Sequence, residues 1–238
     1  MDAAEYALMD AAEARMWWYR ALHARLIAGL APVRGRVLDA GCGTGGFLAR
    51  LGQARPDFSR VGIEFSPLAA SRAREKSGAD VVRGSANALP FDAEKFDAVV
   101  AADVLCHEAV DPAAALAEFF RVLRRGGMVI VNMPAFRWLA SAHDRRVHNA
   151  RRQTAAELRA SIAAAGFQNI RARYWNGLLL PLMVMQRKIF ARGDADASDV
   201  APFPPWLDAT FHAITAVERR LPFRLPAGGS VFATATRP

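Results

Sequence analysis

Lysine is almost missing from this chain of 238 residues: of its 31 basic side chains only Lys76, Lys95 and Lys188 are lysines, and the others are arginines. An Ala- and Arg-rich composition of this kind also arises from GC-rich coding, so the net charge of +8 does not by itself demand a polyanionic partner. Cysteine is scarce as well. Cys42 and Cys106 are the only two, both fall in segments that read as buried core, and no basic start, apolar run and small-residue cleavage site opens the chain. A reduced, cytoplasmic protein is expected. The apolar stretch 178–185 is only eight residues, far below the ~20 needed to span a bilayer, which excludes it as a transmembrane helix. No internal repeat is present, so solenoids and propellers are set aside.

What is present is a globular composition, with 53% hydrophobic and 23% charged residues. The length suits one α/β domain over 1–238 and is too short for two separate cores. Charge is uneven: residues 1–134 hold 16 basic against 16 acidic side chains, and residues 135–238 hold 15 against 7. The excess therefore sits in the second part, either as a solvated face or as a field that draws an anionic substrate, a membrane surface or a nucleic acid.

Residues 3–30 carry apolar positions at helical spacing (Trp18, Leu22, Leu26, Leu30) and predict a helical cover over 1–34. Strand-like and helix-like runs then alternate: strand 36–40, helix 44–51, strand 60–64, a helix after Ser66-Pro67, strand 80–83, strand 96–101, helix 112–123 and strand 127–133. Such alternation indicates βαβ units and a doubly wound parallel sheet, whose ligands bind beyond the strand C-termini. Thr154 and Glu157 form a capping box for a helix over 154–165, followed by strands at 167–176 and 229–236. Between the last two lie residues a minimal fold does not need: the 178–185 stretch with Arg187, Lys188 and Arg192 after it, a Pro-rich linker over 193–205, and an amphipathic helix marked by Leu207, Phe211, Ile214, Val217 and Leu221.

The segment Val37-Leu38-Asp39-Ala40-Gly41-Cys42-Gly43-Thr44-Gly45-Gly46-Phe47 is a strand running into a glycine-rich turn and then a helix. Gly41, Gly43 and Gly46 also satisfy the dinucleotide pattern G-x-G-x-x-G. Asp39 separates the readings, because a carboxylate ahead of the turn repels a pyrophosphate and suits a ligand bearing an ammonium and a sulfonium. Glu64 ends the second strand, where it can accept from ribose hydroxyls. These segments closely resemble the first motifs of class I S-adenosylmethionine (SAM)-dependent methyltransferases. Arg83–Phe91 is similar to the family's adenine-side loop, usually G-D-A-x-x-L-P-F, with Ser85 standing where the family commonly has Asp. The runs Phe96–Leu105 and Leu123–Gly127 match further family motifs in order and spacing. The resemblance implies cofactor contacts from Asp39, Gly41, Cys42, Gly43, Thr44, Glu64, Phe65, Ser85, Ala86, Asn87 and Ala102. Met16-Trp17-Trp18-Tyr19-Arg20 resembles a W-W-F/Y-R element of one bacterial branch, which implies that Tyr19 or Arg20 reaches the methionine carboxylate.

On the acceptor side, transfer to O or N needs alignment and a base near neutral pKa. His107 follows the fourth strand and His143 the fifth, on the same rim. The run from His143 to Arg152 resembles the H-D-x-x-x-x-H-x-R-R-Y-T segment of that branch, with Gln153 in place of Tyr. This implies a substrate lid in which His143 is base or orienter, Asp144 its neighbour, and Arg151 or Arg152 a partner for an anionic acceptor. Tyr174 and Asn176, at the end of the next strand, are placed to complete the pocket.

The expected architecture is a Rossmann-like sheet of seven strands, six parallel and one antiparallel, with a core over 35–133 and helical insertions at 134–153 and 177–228. The expected function is methyl transfer from SAM to O or N, less readily C, of a small acceptor of anionic or lipid-linked character, with no metal. Peripheral membrane contact and a homodimer stay open. An RNA or protein methyltransferase is the rival, but the fourth strand lacks the Asn/Asp-Pro-Pro-Tyr/Phe element, no Pro-Cys nucleophile follows it and no RNA-binding module is attached, so a nucleic-acid partner is not expected. An NAD-dependent oxidoreductase is opposed by Asp39, and a SAM-binding protein without catalysis is the remaining alternative.

Overall fold

The computed structural model describes residues 3–186 and 203–238. Arg187, Lys188, Arg192 and most of the 193–205 linker lie outside them. Seven strands form one sheet: β1 (Arg36–Ala40), β2 (Ser59–Glu64), β3 (Asp80–Arg83), β4 (Phe96–Ala102), β5 (Leu123–Pro134), β6 (Gln168–Trp175) and β7 (Ser230–Thr236). Their order is β3-β2-β1-β4-β5-β7-β6. Only β7 is antiparallel to its neighbours, as the alternation of elements and the family resemblance led us to expect.

The central strands are apolar on both faces because both faces are covered. On β1 and β4, Leu38, Val99 and Ala101 face one cluster with Leu116 and Phe119 of α5 (Pro112–Val122) and Leu158 and Ile162 of α7 (Ala155–Ala164). Val37, Ala98 and Val100 face the other, with Leu22 and Leu26 of α2 (Trp17–Gly29) and Phe47 and Leu51 of α3 (Gly46–Ala54). Helix α4 (Pro67–Ser77) packs Ala70 and Ala73 against Leu48 and Val81; Ser66 caps it by accepting from Ala69 N. The Thr154–Glu157 capping box is present at the start of α7.

The N-terminal cover comprises two helices, α1 (Ala3–Ala12) and α2, broken at residues 13–16. Apolar spacing continues across the break, but Glu13 is drawn away to the start of α3, where its carboxylate accepts from Gly46 N at 3.1 Å and Thr44 Oγ1 at 2.7 Å. Gly45 has no side chain with which to cap α3, so Glu13 does it from outside. Helix α2 is capped in the same way: Met16 cannot do it, and Asp208 of α9 (Pro205–Arg220) accepts from Trp17 N at 2.6 Å. The remaining α-helices among the described residues are α6 (Ala142–Arg146) and α8 (Leu180–Met185). No helix among the described residues is long and apolar enough to cross a membrane.

Candidate active site

Chain order reverses between β1 and β4, and the crevice at their C-terminal ends opens there. The turn after β1 depends on glycine. Gly41 has φ +79° and Gly45 φ +88°; a Cβ on Gly41 would lie 2.5 Å from Val104 Cγ2, and one on Gly45 2.7 Å from the Ala73 backbone. Gly41 N and Cys42 N both donate to Ile63 O, at 2.8 and 3.0 Å, which ties the turn to β2.

Three carboxylates surround this turn. Asp39 is 3% exposed and lines the cleft; burial first, then the charges of Glu64 and Glu13, push its pKa up to about 8. Glu64, at the end of β2, accepts from Gly43 N at 3.0 Å, Ser66 N at 2.9 Å and the Tyr6 hydroxyl at 3.0 Å. Glu13 is raised by burial and steadied by Lys76, which also pairs with Asp10. Tyr6 and Asp10 belong to α1, so that helix lies across the turn.

The cleft continues past the ends of β4, β5 and β6. Its volume is about 880 Å³, near the top of the ~300–1,000 Å³ typical of small-molecule sites. Asp103, directly after β4, takes φ +54°, and its Oδ1 accepts from Asn132 Nδ2 at 2.9 Å; burial raises its pKa to about 7. His107 stands beside it in the wall. Burial lowers its pKa, against the opposing pull of hydrogen bonds to the Val147 and His148 backbone.

Residues 38–131 match the model of a family described as a methyltransferase domain. That stretch is therefore similar to a methyltransferase domain. Among curated relatives, a demethylmenaquinone methyltransferase of Roseiflexus castenholzii is 45% identical over 101 residues, 41% of this chain and 42% of that one. A phthiotriol/phenolphthiotriol dimycocerosates methyltransferase of Mycobacterium leprae is 36% identical over 95 residues, 39% of this chain and 35% of the relative. The alignments thus span less than half of these relatives. A SAM-dependent methyltransferase from Thermotoga maritima superposes with a TM-score of 0.65 at 22% identity, covering 99% of this chain and 95% of that one. The fold is that of SAM-dependent methyltransferases.

The cleft brings together most of the residues expected from sequence. Tyr19, Asp39, Gly41, Cys42, Gly43, Glu64, Phe65, Ser85, Ala86 and Ala102 line it, as do His107, His143, Asp144, Arg152 and Asn176. Five others do not line it. Thr44 gives its hydroxyl to Glu13, and Asn87 bridges Ala109 O and Asp111 N. Arg20 is held by Asp208 rather than turned to a cofactor carboxylate. Arg151 donates to the His107 and Val110 carbonyls, and the Tyr174 hydroxyl accepts from Ala155 N while its ring stacks on Phe136. Arg152 lines the cleft but is buried and bidentate on Asp144, with a further bond to Ala135 O, so this pair closes its own loop rather than waiting for an anion. The sequence reading missed Glu13, Tyr6 and Asp103 as wall residues. Asp103 had a signal, a lone acid directly after an apolar strand that ends at the rim; Glu13 and Tyr6 sit in an amphipathic helix and had none.

Proposed function

We propose that this domain moves the methyl group of SAM to an oxygen or nitrogen of a small acceptor held in the same cleft. The observation that carries the proposal is the crowding of Asp39, Glu64 and Glu13 around a glycine turn with no Cβ in the way. Mutual repulsion and burial make that site unfavourable for a pyrophosphate and favourable for a ligand carrying an ammonium and a sulfonium. In this reading Asp39 and the Gly41–Gly43 backbone hold the methionine end, Glu64 the ribose, and Ser85 and Ala86 the adenine side. When bound, SAM supplies an electrophilic methyl group. The chain's own part is to align the acceptor and take its proton. His107, kept neutral by burial, and Asp103, with a pKa near 7, are the two groups whose protonation suits that role, and His143 lines the same wall.

Calorimetry with SAM and with NAD tests the reading. SAM is expected to bind, with affinity rising from pH 6 to pH 8 and net proton release at pH 7, because the cation selects the ionised form of Asp39. Tighter binding of NAD would overturn it. A methyl-label transfer screen against extract fractions then identifies the acceptor.

A further inference from the structure

Two polar groups in the wall of the cleft are buried without a hydrogen-bond partner among the described residues. Asn176 is 0% exposed and neither its Oδ1 nor its Nδ2 is paired; Trp17 is 8% exposed and its indole N–H is unpaired. Both residues line the cleft. Buried polar groups are nearly always satisfied, and an unpaired amide in an apolar surrounding is costly enough to need a reason.

Asn176 is held where it is by its backbone. It follows β6 at φ +59°, a left-handed conformation that asparagine tolerates better than most residues. Its N–H and those of Gly177 and Leu178 all donate to the carboxylate of Glu218 on α9, at 2.7, 2.8 and 3.1 Å. Glu218 in turn pairs with Arg25 of α2 at 3.0 Å. The surroundings are apolar. A Cβ on Gly229 would touch Met183 Cε at 2.7 Å and Asn176 Nδ2 at 3.4 Å, so thioether and amide meet across that glycine. Trp17 packs edge-on against Phe211, which does the same with Phe203, another wall residue. The one arginine of the expected anion site that reaches the cleft, Arg152, is already paired with Asp144.

We propose that this end of the cleft is the acceptor subsite and that it selects molecules with an apolar body and a hydroxyl or carbonyl oxygen, gripped by the Asn176 amide with the Trp17 N–H as a second donor to the same ligand. This deepens the methyltransferase reading and rests on it. Glu218 is a positioning residue here, since it fixes the backbone that carries the amide.

Equilibrium dialysis of the full chain, loaded with S-adenosylhomocysteine, against 2-naphthol and naphthalene tests the subsite, because the two probes differ only in the hydroxyl. The wild type should prefer 2-naphthol. Asn176→Leu should lower the ratio of the two affinities about tenfold while naphthalene still binds. Trp17→Phe removes the N–H together with part of the ring, a loss of apolar contact that both probes share; it should lower the ratio about fivefold and gives a second reading if the first variant folds poorly. A ratio unchanged in both variants, or no binding of either probe to wild type, overturns the subsite. S-adenosylhomocysteine calorimetry on the same samples separates the two claims: absent binding there overturns the cofactor reading and the subsite with it, whereas normal binding with an unchanged ratio overturns the subsite alone.

Discussion

At Asp39 burial and ligand chemistry pull in opposite directions. Its carboxyl has a pKa of about 8 in the fold against an ordinary value of 3.8. Between those values the unfolded chain binds fewer protons at this residue than the folded one, so its contribution to stability is present at low pH and is lost as pH rises from about 4 to 8. Asp39→Asn should therefore raise the stability of the ligand-free protein at pH 7.5, by on the order of 2 kcal/mol, in urea unfolding, and in the same samples weaken SAM binding at least tenfold. Loss of stability in this variant would show that the carboxylate is paired and not stressed. Asp39 was readable from the chain because its place ahead of the glycine turn defines its neighbours. Asn176 was readable only as a residue at a strand end; that its amide is unpaired depends on Met183, Gly229 and Glu218, which sequence spacing does not bring together.

Among the elements, α9 has the farthest reach. Its Asp208 caps α2, and its Glu218 holds three successive N–H groups after β6 while pairing with Arg25, whose pKa burial brings down to about 10. Glu218→Gln leaves the guanidinium without its charge partner and replaces one acceptor oxygen by an amide donor. It should cost about 3 kcal/mol in urea unfolding and speed amide exchange at 176–178, while exchange in β4 at the sheet centre changes only with the global stability. The amphipathic face of α9 was visible in its apolar spacing; the partners of its acidic side chains on α2 were not, because Trp17 and Arg25 lie about 190 residues away in the chain. The same limit explains α1 and α2. Apolar periodicity ran through residues 13–16, whereas the break is made by the bonds from Thr44 and Gly46 to Glu13. The strands, of which the central ones are packed on both faces, were legible to within a few residues at their ends.

For the whole molecule, several arginines are tied down within the fold, although most of those described in residues 135–238 are exposed. Arg121 locks onto Glu118 and the Phe91 and Leu89 carbonyls, Arg152 onto Asp144, and Arg237 onto Glu94 and the carbonyls at the end of α5. Composition could count these charges but could not say which were spent inside. Among the described residues, no α1 side chain belongs to the hydrophobic clusters of the sheet's two apolar layers, and the ties of that helix include Tyr6 to Glu64, Asp10 to Lys76, Glu5 to Arg146 and the Met9 methyl against Gly43. Its ten residues are thus fastened to the mouth of the crevice and not to the interior. Such a segment opens locally at a far smaller free energy than the sheet, and whatever fills the mouth becomes part of its footing. Deuterium uptake in residues 3–12 should accordingly slow when SAM is added, by a larger factor than in any core strand; equal slowing everywhere would mean that the helix is anchored elsewhere.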